Sequence, residues 1–420
     1  MSESPGLAIE GGKPIRTKPF PGRLPFDQDD EREVLEVLRS GKLFFPTGTK
    51  VHAFEERFAQ LYGVRYAVAS TSGTSALHVA LGAINPEPGD EVITTPITDM
   101  GTVAPIIQQN CIPVFADVDL GTMNITPATV EPLLTDRTRA IIVVHCWGQP
   151  ADMDGFLALA RKHKGLHLIE DCAQAHLTRY KGKLAGTIGD IAGFSLQESK
   201  HLRCGDGGVT ITDDPKLGDR AAIFVDKGCD WTKDRRYRLK YSFIAPCYRM
   251  TDLQGAVLCS QLQKLPWIVQ QRQILGDKLA RLLRGISGIR PPKRSKGVEH
   301  SYWMFPVLVD WEALGTTREE FGAAMKAEGG PVGGAWIGKA LYLYEALAER
   351  KAFGTSQVPW VGFSRPEPPP YRPGLCPNAE KALHQLYCFG LTELFTDDDV
   401  ADIAAAIRKV AEHFAGRKKK

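Results

Sequence analysis

The residues that suggest chemistry run Gly193-Phe194-Ser195-Leu196-Gln197-Glu198-Ser199-Lys200, with Gly205-Asp206-Gly207-Gly208 close behind. One lysine stands between a hydroxyl-bearing stretch and a glycine-rich turn, downstream of the acidic strand end Leu168-Ile169-Glu170-Asp171. A lysine so placed can hold an aldehyde cofactor as a Schiff base, while a carboxylate pairs a pyridinium nitrogen. A Ser-x-x-x-x-Lys run alone is more often a solvated lysine. The weight therefore rests on the other parts such a site needs, and these follow in order along the chain.

Thr71-Ser72-Gly73-Thr74-Ser75 lies between an apolar strand and a helix. A helix start aims backbone N–H groups and a positive dipole end at one place, which favours an anion. The plain alternative is an ordinary capped turn; the functional reading is a phosphate cradle at Gly73 and Thr74. Asp171 should sit at the carboxyl end of its strand, where open α/β sheets place ligands. Its carboxylate would keep a pyridine nitrogen protonated, and Gln174 would donate to the ring's phenolic oxygen. Ser195 offers the phosphate a hydroxyl, and Gly205 to Gly208 let the backbone turn sharply beside Lys200. Lys200 and Asp171 are the candidate catalytic residues.

The elements that must position these groups are short apolar runs alternating with helical stretches. Tyr66-Ala67-Val68-Ala69, Glu91-Val92-Ile93-Thr94, Pro113-Val114-Phe115-Ala116, Ala140-Ile141-Ile142-Val143-Val144 and His167-Leu168-Ile169 read as strands. Such alternation predicts an α/β fold, a mostly parallel sheet covered on both faces. A long helix from Thr251 to about Leu283 should bridge to a second part with a strand at Met304–Val309 and a helix around Val400–Phe414. The expected division is an arm over 1–30, a large α/β domain over 31–265 and a smaller α+β domain over 266–420. Val358 to Pro377 is the longest expected loop.

At 420 residues and a formal net charge of +3 the chain has no basic stripe for nucleic acid. The Arg417-Lys418-Lys419-Lys420 end reads as a solvated tail. No apolar run reaches membrane-spanning length and no signal peptide is apparent, so a cytoplasmic location is expected. Nine cysteines without a C-x-x-C pair fit reduced thiols rather than disulfides or a zinc site. No metal is expected. His145 and His176 read as structural histidines, and Tyr302-Trp303 and Trp336 as core aromatics.

Taken together, these motifs resemble the DegT/DnrJ/StrS family of fold-type-I pyridoxal-phosphate aminotransferases. The resemblance is carried by Ser72-Gly73-Thr74-Ser75-Ala76-Leu77, His145-Cys146-Trp147-Gly148-Gln149-Pro150-Ala151-Asp152-Met153-Asp154, Glu170 to Gln174, Gly189 to Gly208 and Tyr248-Arg249-Met250. It implies pyridoxal 5'-phosphate as cofactor, Lys200 as its Schiff-base lysine and Asp171 as the pyridinium partner. It also implies Gln174 at the phenolic oxygen and Gly73, Thr74 and Ser195 at the phosphate. Segments like Trp336 to Tyr342 lie near the substrate mouth in that family. Two positions depart from the pattern. Asp99 or Met100 stands where an aromatic residue usually stacks on the ring, with the Met100 thioether as a weak substitute. Cys247 stands where an asparagine often reaches the neighbouring subunit's phosphate.

The function so implied is ping-pong transfer of an amino group from glutamate or glutamine to a keto-sugar or keto-cyclitol, through pyridoxamine phosphate, in a homodimer with shared sites. The alternatives are a dehydratase or aromatising synthase on the same scaffold and a non-catalytic cofactor-binding regulator. Intact Lys200, Asp171 and Gln174 argue against the last.

Overall fold

The computed structural model describes residues 6–230, 240–363 and 370–417. Its centre is a seven-stranded sheet built from β1 (Tyr66–Ser70), β2 (Glu91–Thr94), β3 (Ile112–Phe115), β4 (Thr138–Val144), β5 (His167–Asp171), β6 (Ile191–Ser195) and β7 (Gly208–Thr212). The spatial order is β1-β7-β6-β5-β4-β2-β3. All pairings are parallel except the two made by β7, which runs antiparallel to both β1 and β6. The central strands are buried along nearly their whole length, as a sheet covered on both faces requires. Because β1, β2, β4, β5 and β6 share one direction, their carboxyl ends emerge along one edge, and the chemistry gathers there.

The covering helices are α1 (Gln28–Ser40), α2 (Lys50–Tyr62), α3 (Gly73–Ile84), α4 (Met100–Gln108), α5 (Met153–Lys162) and α6 (Pro215–Phe224). The expected long helix is α7 (Asp252–Leu282), continuous through Pro266. Its first residue, Asp252, is buried and its carboxylate accepts the N–H groups of Thr49, Lys50 and Val51, fixing the start of α2. Beyond it, β8 (Ile289–Arg290), β9 (Met304–Val309) and β10 (Leu386–Gly390) form an antiparallel sheet. It packs with α8 (Arg318–Ala327) and α10 (Asp397–Arg417), and α9 (Pro377–Gln385) precedes β10.

The amino-terminal stretch is extended, as its Pro and Gly content predicts, and it is strapped down. Ala8 and Ile15 donate N–H groups to Glu328, Arg16 pairs with Asp399 and Asp402, and Leu24 N–H meets Glu393. No described helix is long and apolar enough to cross a membrane. Residues 1–5, part of the Pro-rich loop, and Lys418–Lys420 of the basic end lie outside the described residues.

Candidate active site

The loops at the carboxyl edge of the sheet enclose a cavity of about 390 Å³. Gly73, Thr74, Asp171, Gln174, Ser195 and Lys200 all line it, although they come from three separate connections, those that follow β1, β5 and β6. Cys247 does not; it is exposed, on a bridge pairing with Asp226.

At the start of α3, Ser72 and Ser75 form a reciprocal cap. Ser72 Oγ accepts the Ser75 N–H at 3.0 Å, and Ser75 Oγ accepts the Ser72 N–H at 2.8 Å. The Ser72 carbonyl takes the Ala76 N–H. The N–H groups of Gly73 and Thr74 are left without a partner among the described residues, at the positive end of the helix dipole. A Cβ on residue 73 would stand 2.7 Å from Ser195 Cβ, so only glycine lets the helix start and the end of β6 approach this closely. The result is a cradle of two free N–H groups beside a serine hydroxyl, which could hold a phosphate ester.

Asp171 closes β5 and is buried. Its Oδ2 accepts from Thr102 Oγ1 at 2.7 Å and its Oδ1 from the Ala173 N–H at 3.0 Å. Thr102 Oγ1 in turn lies 2.7 Å from Thr98 Oγ1. With the Thr102 hydroxyl spent on the carboxylate, Thr98 is the donor in that second bond. Burial raises the Asp171 pKa, while the Thr102 and Ala173 bonds and the Lys200 charge pull the other way. A cationic ring nitrogen is the kind of partner such a carboxylate lacks.

Lys200 sits in a loop closed on itself. Leu196 N–H reaches the Gly207 carbonyl, Glu198 N–H the Gly205 carbonyl, and Cys204 N–H the Leu196 carbonyl. Its ammonium makes no ion pair with a carboxylate among the described residues; Nζ lies 3.6 Å from the centre of the Trp303 ring. Burial pulls its pKa down to about 8, against the raising charges of Asp171 and Asp99. A far larger share than in an ordinary lysine is therefore the neutral, nucleophilic amine near neutral pH, although the protonated form still predominates below about pH 8. Gln174 is oriented by accepting the Trp147 N–H on Oε1 at 2.6 Å, which leaves its amide NH₂ as the donor end for the cavity.

Two expectations need correction. Met100 does not line the cavity; it packs into the apolar core beside the sheet, because α4 turns that face inward, so it is no stacking substitute. Asp99 occupies the cavity wall instead. Trp303 and Trp336 are not simply core: both line the cavity, while Tyr302 is fully buried. With Trp147 they form an aromatic corner, ring centroids 4.7–6.2 Å apart. Thr102 and Asp206 were not anticipated either. The four-residue spacing of Thr98 and Thr102 at a helix start was the one available signal for the first.

His145, Glu170 and Cys172 lie close enough together to invite a metal reading. The ligand atoms of His145 and Glu170 are committed to one another and to main-chain N–H groups. Glu170 accepts from His145 Nε2 and from the N–H groups of Gly186, Ile188 and Gly189, and His145 Nδ1 accepts the Ala151 N–H. Burial opposes ionisation of Glu170, yet these donors hold its pKa below the usual value. The cluster fastens the 186–189 loop to β5.

A sequence profile of the DegT/DnrJ/EryC1/StrS aminotransferase family matches residues 26–408. The spore coat polysaccharide biosynthesis protein SpsC of Bacillus subtilis is 34% identical over 403 residues, 94% of this chain and 97% of that one. The L-glutamine:2-deoxy-scyllo-inosose aminotransferase of Streptomyces fradiae is 33% identical over 431 residues, 97% and 98% of the two chains. Among solved structures, an aminotransferase from Psychrobacter cryohalolentis superposes with a TM-score of 0.83 at 30% identity, covering 94% of this chain and all of that one.

Proposed function

The chain belongs to the DegT/DnrJ/EryC1/StrS aminotransferase family, and from that premise we propose that it moves an amino group from glutamine or glutamate to a keto-sugar or keto-cyclitol. Enzymes of this family depend on pyridoxal phosphate in general, and the residues present fit it. One observation carries the reading: the Lys200 amine, the buried Asp171 carboxylate and the N–H cradle of Gly73 and Thr74 face a single cavity. The named activity of the Streptomyces fradiae relative supports the donor and acceptor classes.

Bound pyridoxal phosphate would supply an aldehyde that takes up amines and a ring that draws electrons from the adjacent carbon. The chain's own groups do the rest. Gly73, Thr74 and Ser195 hold the phosphate, and Gln174 donates to the phenolic oxygen. Asp171 keeps the ring nitrogen protonated. Lys200 Nζ would anchor the cofactor, and its free amine would be placed to move a proton to and from the donor's Cα. Trp303 and Trp336 wall the cavity against water.

A second copy of the chain completes the site in this reading. Cys247 is exposed near Tyr241 and Ile244, which are 56% and 98% exposed, and such apolar exposure suits an obligate interface. The free thiols of all nine cysteines support a cytoplasmic location.

The test is a half-reaction. Holoprotein mixed with glutamine or glutamate should lose its visible absorption band, and a ring ketone should restore it. A band unmoved by either donor would refute the proposal, and sedimentation of a fully active monomer would refute the shared site.

A further inference from the structure

The residues on either side of Lys200 are bonded to one short segment. Trp303 Nε1–H donates to the Ser199 carbonyl at 2.9 Å, and His201 Nε2–H to the Ser301 carbonyl at 2.9 Å. Residues 301–303 thus bracket the lysine, whose side chain runs to the face of the Trp303 ring, Nζ 3.6 Å from its centre. That ring is held fast. The Trp303 N–H meets the Trp147 carbonyl at 2.9 Å, and the Trp303 carbonyl takes Arg272 Nη1 at 3.2 Å. The Trp147 ring lies nearly parallel to it, centroids 6.2 Å apart, and Trp336 stands edge-on at 5.6 Å.

The transamination reading gives Nζ two duties, and the second creates a charge. A proton taken from the donor's Cα turns the neutral amine into an ammonium until that proton is handed on. Burial works against the charge, while Asp171 and Asp99 work for it. None of the carboxylates lining the cavity, Asp99, Asp171 or Asp206, pairs with Nζ. His176 donates Nε2–H to the Ser195 carbonyl and is kept neutral by burial. The group that meets the charge at contact distance is the indole, the side-chain ring that attracts an ammonium most, above all where water is excluded.

We infer that Trp303 is a catalytic residue: its indole face is the berth of the free Lys200 amine, holding it as an ammonium between taking a proton from the donor's Cα and giving it up. This rests on the transamination reading above. A residue that merely walled the cavity would act through its shape, whereas a berth acts through the electrons of its face.

The experiment exchanges Trp303 for a tetrafluorinated tryptophan, which keeps the shape and the N–H but withdraws electrons from the face. Apoprotein is reductively methylated with formaldehyde over a pH series, and Lys200 is followed by peptide mapping. In wild type the rate should rise through a midpoint near pH 8. Fluorination removes an attraction for the charged form, so the midpoint should fall by about one pH unit. Trp303→Phe keeps a face without the N–H and should stay within about half a unit of wild type. In holoprotein, fluorination should slow the donor-induced loss of the visible band about tenfold, and a donor deuterated at Cα should slow it further. A midpoint unmoved by fluorination, a Trp303→Phe midpoint as low as the fluorinated one, or an unslowed donor step overturns the inference while transamination stands. Failure of the donor step in wild type overturns transamination, and the inference with it.

Discussion

Arg23 Nη2 donates to the main-chain carbonyl of Lys200 across 2.5 Å, joining residues 177 positions apart. The same guanidinium reaches the carbonyls of Glu198 and His201. From the far side, Trp303 Nε1–H meets the Ser199 carbonyl at 2.9 Å, and the buried Arg272–Glu393 pair holds the Trp303 carbonyl. The lysine loop is thus gripped by the amino-terminal arm and by the segment leading into β9. Arg23→Ala should lower kcat roughly tenfold with little change in donor KM, and move the pH midpoint of the cofactor's visible band. Arg23→Lys keeps the charge but not the fork, and should recover only part of the loss. A stability defect without a shifted midpoint would reduce Arg23 to a mere strap.

Lys200 should carry the covalent label after borohydride reduction and peptide mapping. Lys200→Ala should cost roughly 10²–10⁴-fold in turnover, the range of a positioned proton carrier. The sign of the pH dependence follows from burial, which disfavours the charged amine. Protonated below about pH 8, the amine becomes neutral above it, so attachment of cofactor to apoprotein should speed up through pH 8 and then level off. An attachment rate still climbing near the ordinary lysine value of about 10.4 would show the amine to be unperturbed.

Asp171→Asn should retain the fold and lose at least about a hundredfold in rate, about 2.7 kcal/mol, since a neutral amide no longer favours a protonated ring. Thr102→Val, nearly the same shape, removes the hydroxyl that donates to Asp171 Oδ2. A hydrogen bond to a charged group contributes about 1.5–3 kcal/mol, so single-turnover rates should fall roughly tenfold or more. Rates near wild type for both variants would refute the pairing role.

Gly73→Ala tests the cradle. The added methyl must push α3 away from β6, and overpacking of this kind costs about 1–3 kcal/mol. Cofactor should be released at least about tenfold faster, and Ser195→Ala should show the same defect more mildly. Unchanged retention in both would place the phosphate elsewhere.

Cys247→Asn replaces a weak donor with an amide. With the second copy's phosphate in reach, cofactor release should slow about tenfold, in line with a charge-assisted bond. Unchanged or faster release would remove this position from the phosphate's surroundings.

Much of this was readable in the residues, for identifiable reasons. Strand and helix alternation, the caps at Ser72 and Asp171's place at a strand end are local properties, written in short windows. The reversed strand β7 was not legible. Its run Gly208–Thr212 looks like any buried strand, and only the tight turn through Gly205 sends it back between β1 and β6. Trp303 and Trp336 resembled core because cavity walls and cores draw on the same side chains. Met100 misled because its neighbour Asp99 takes the cap and so turns the methionine inward. Arg23 sits in an arm whose composition says only that it is extended; that it clasps a loop far along the chain is purely tertiary.

The aromatic corner of Trp147, Trp303 and Trp336 also has an optical consequence. Three indoles this close exchange excitation, and two of them border the cavity, so a conjugated ring settling there would accept their energy. Near-ultraviolet excitation should therefore yield dim emission from loaded protein and brighter emission after the cofactor is stripped. The coupled indoles should add a signed circular-dichroism band that weakens with Trp147→Phe, which leaves only the Trp303–Trp336 pair, 5.6 Å apart. The protein would report its own occupancy by light, with no dye attached.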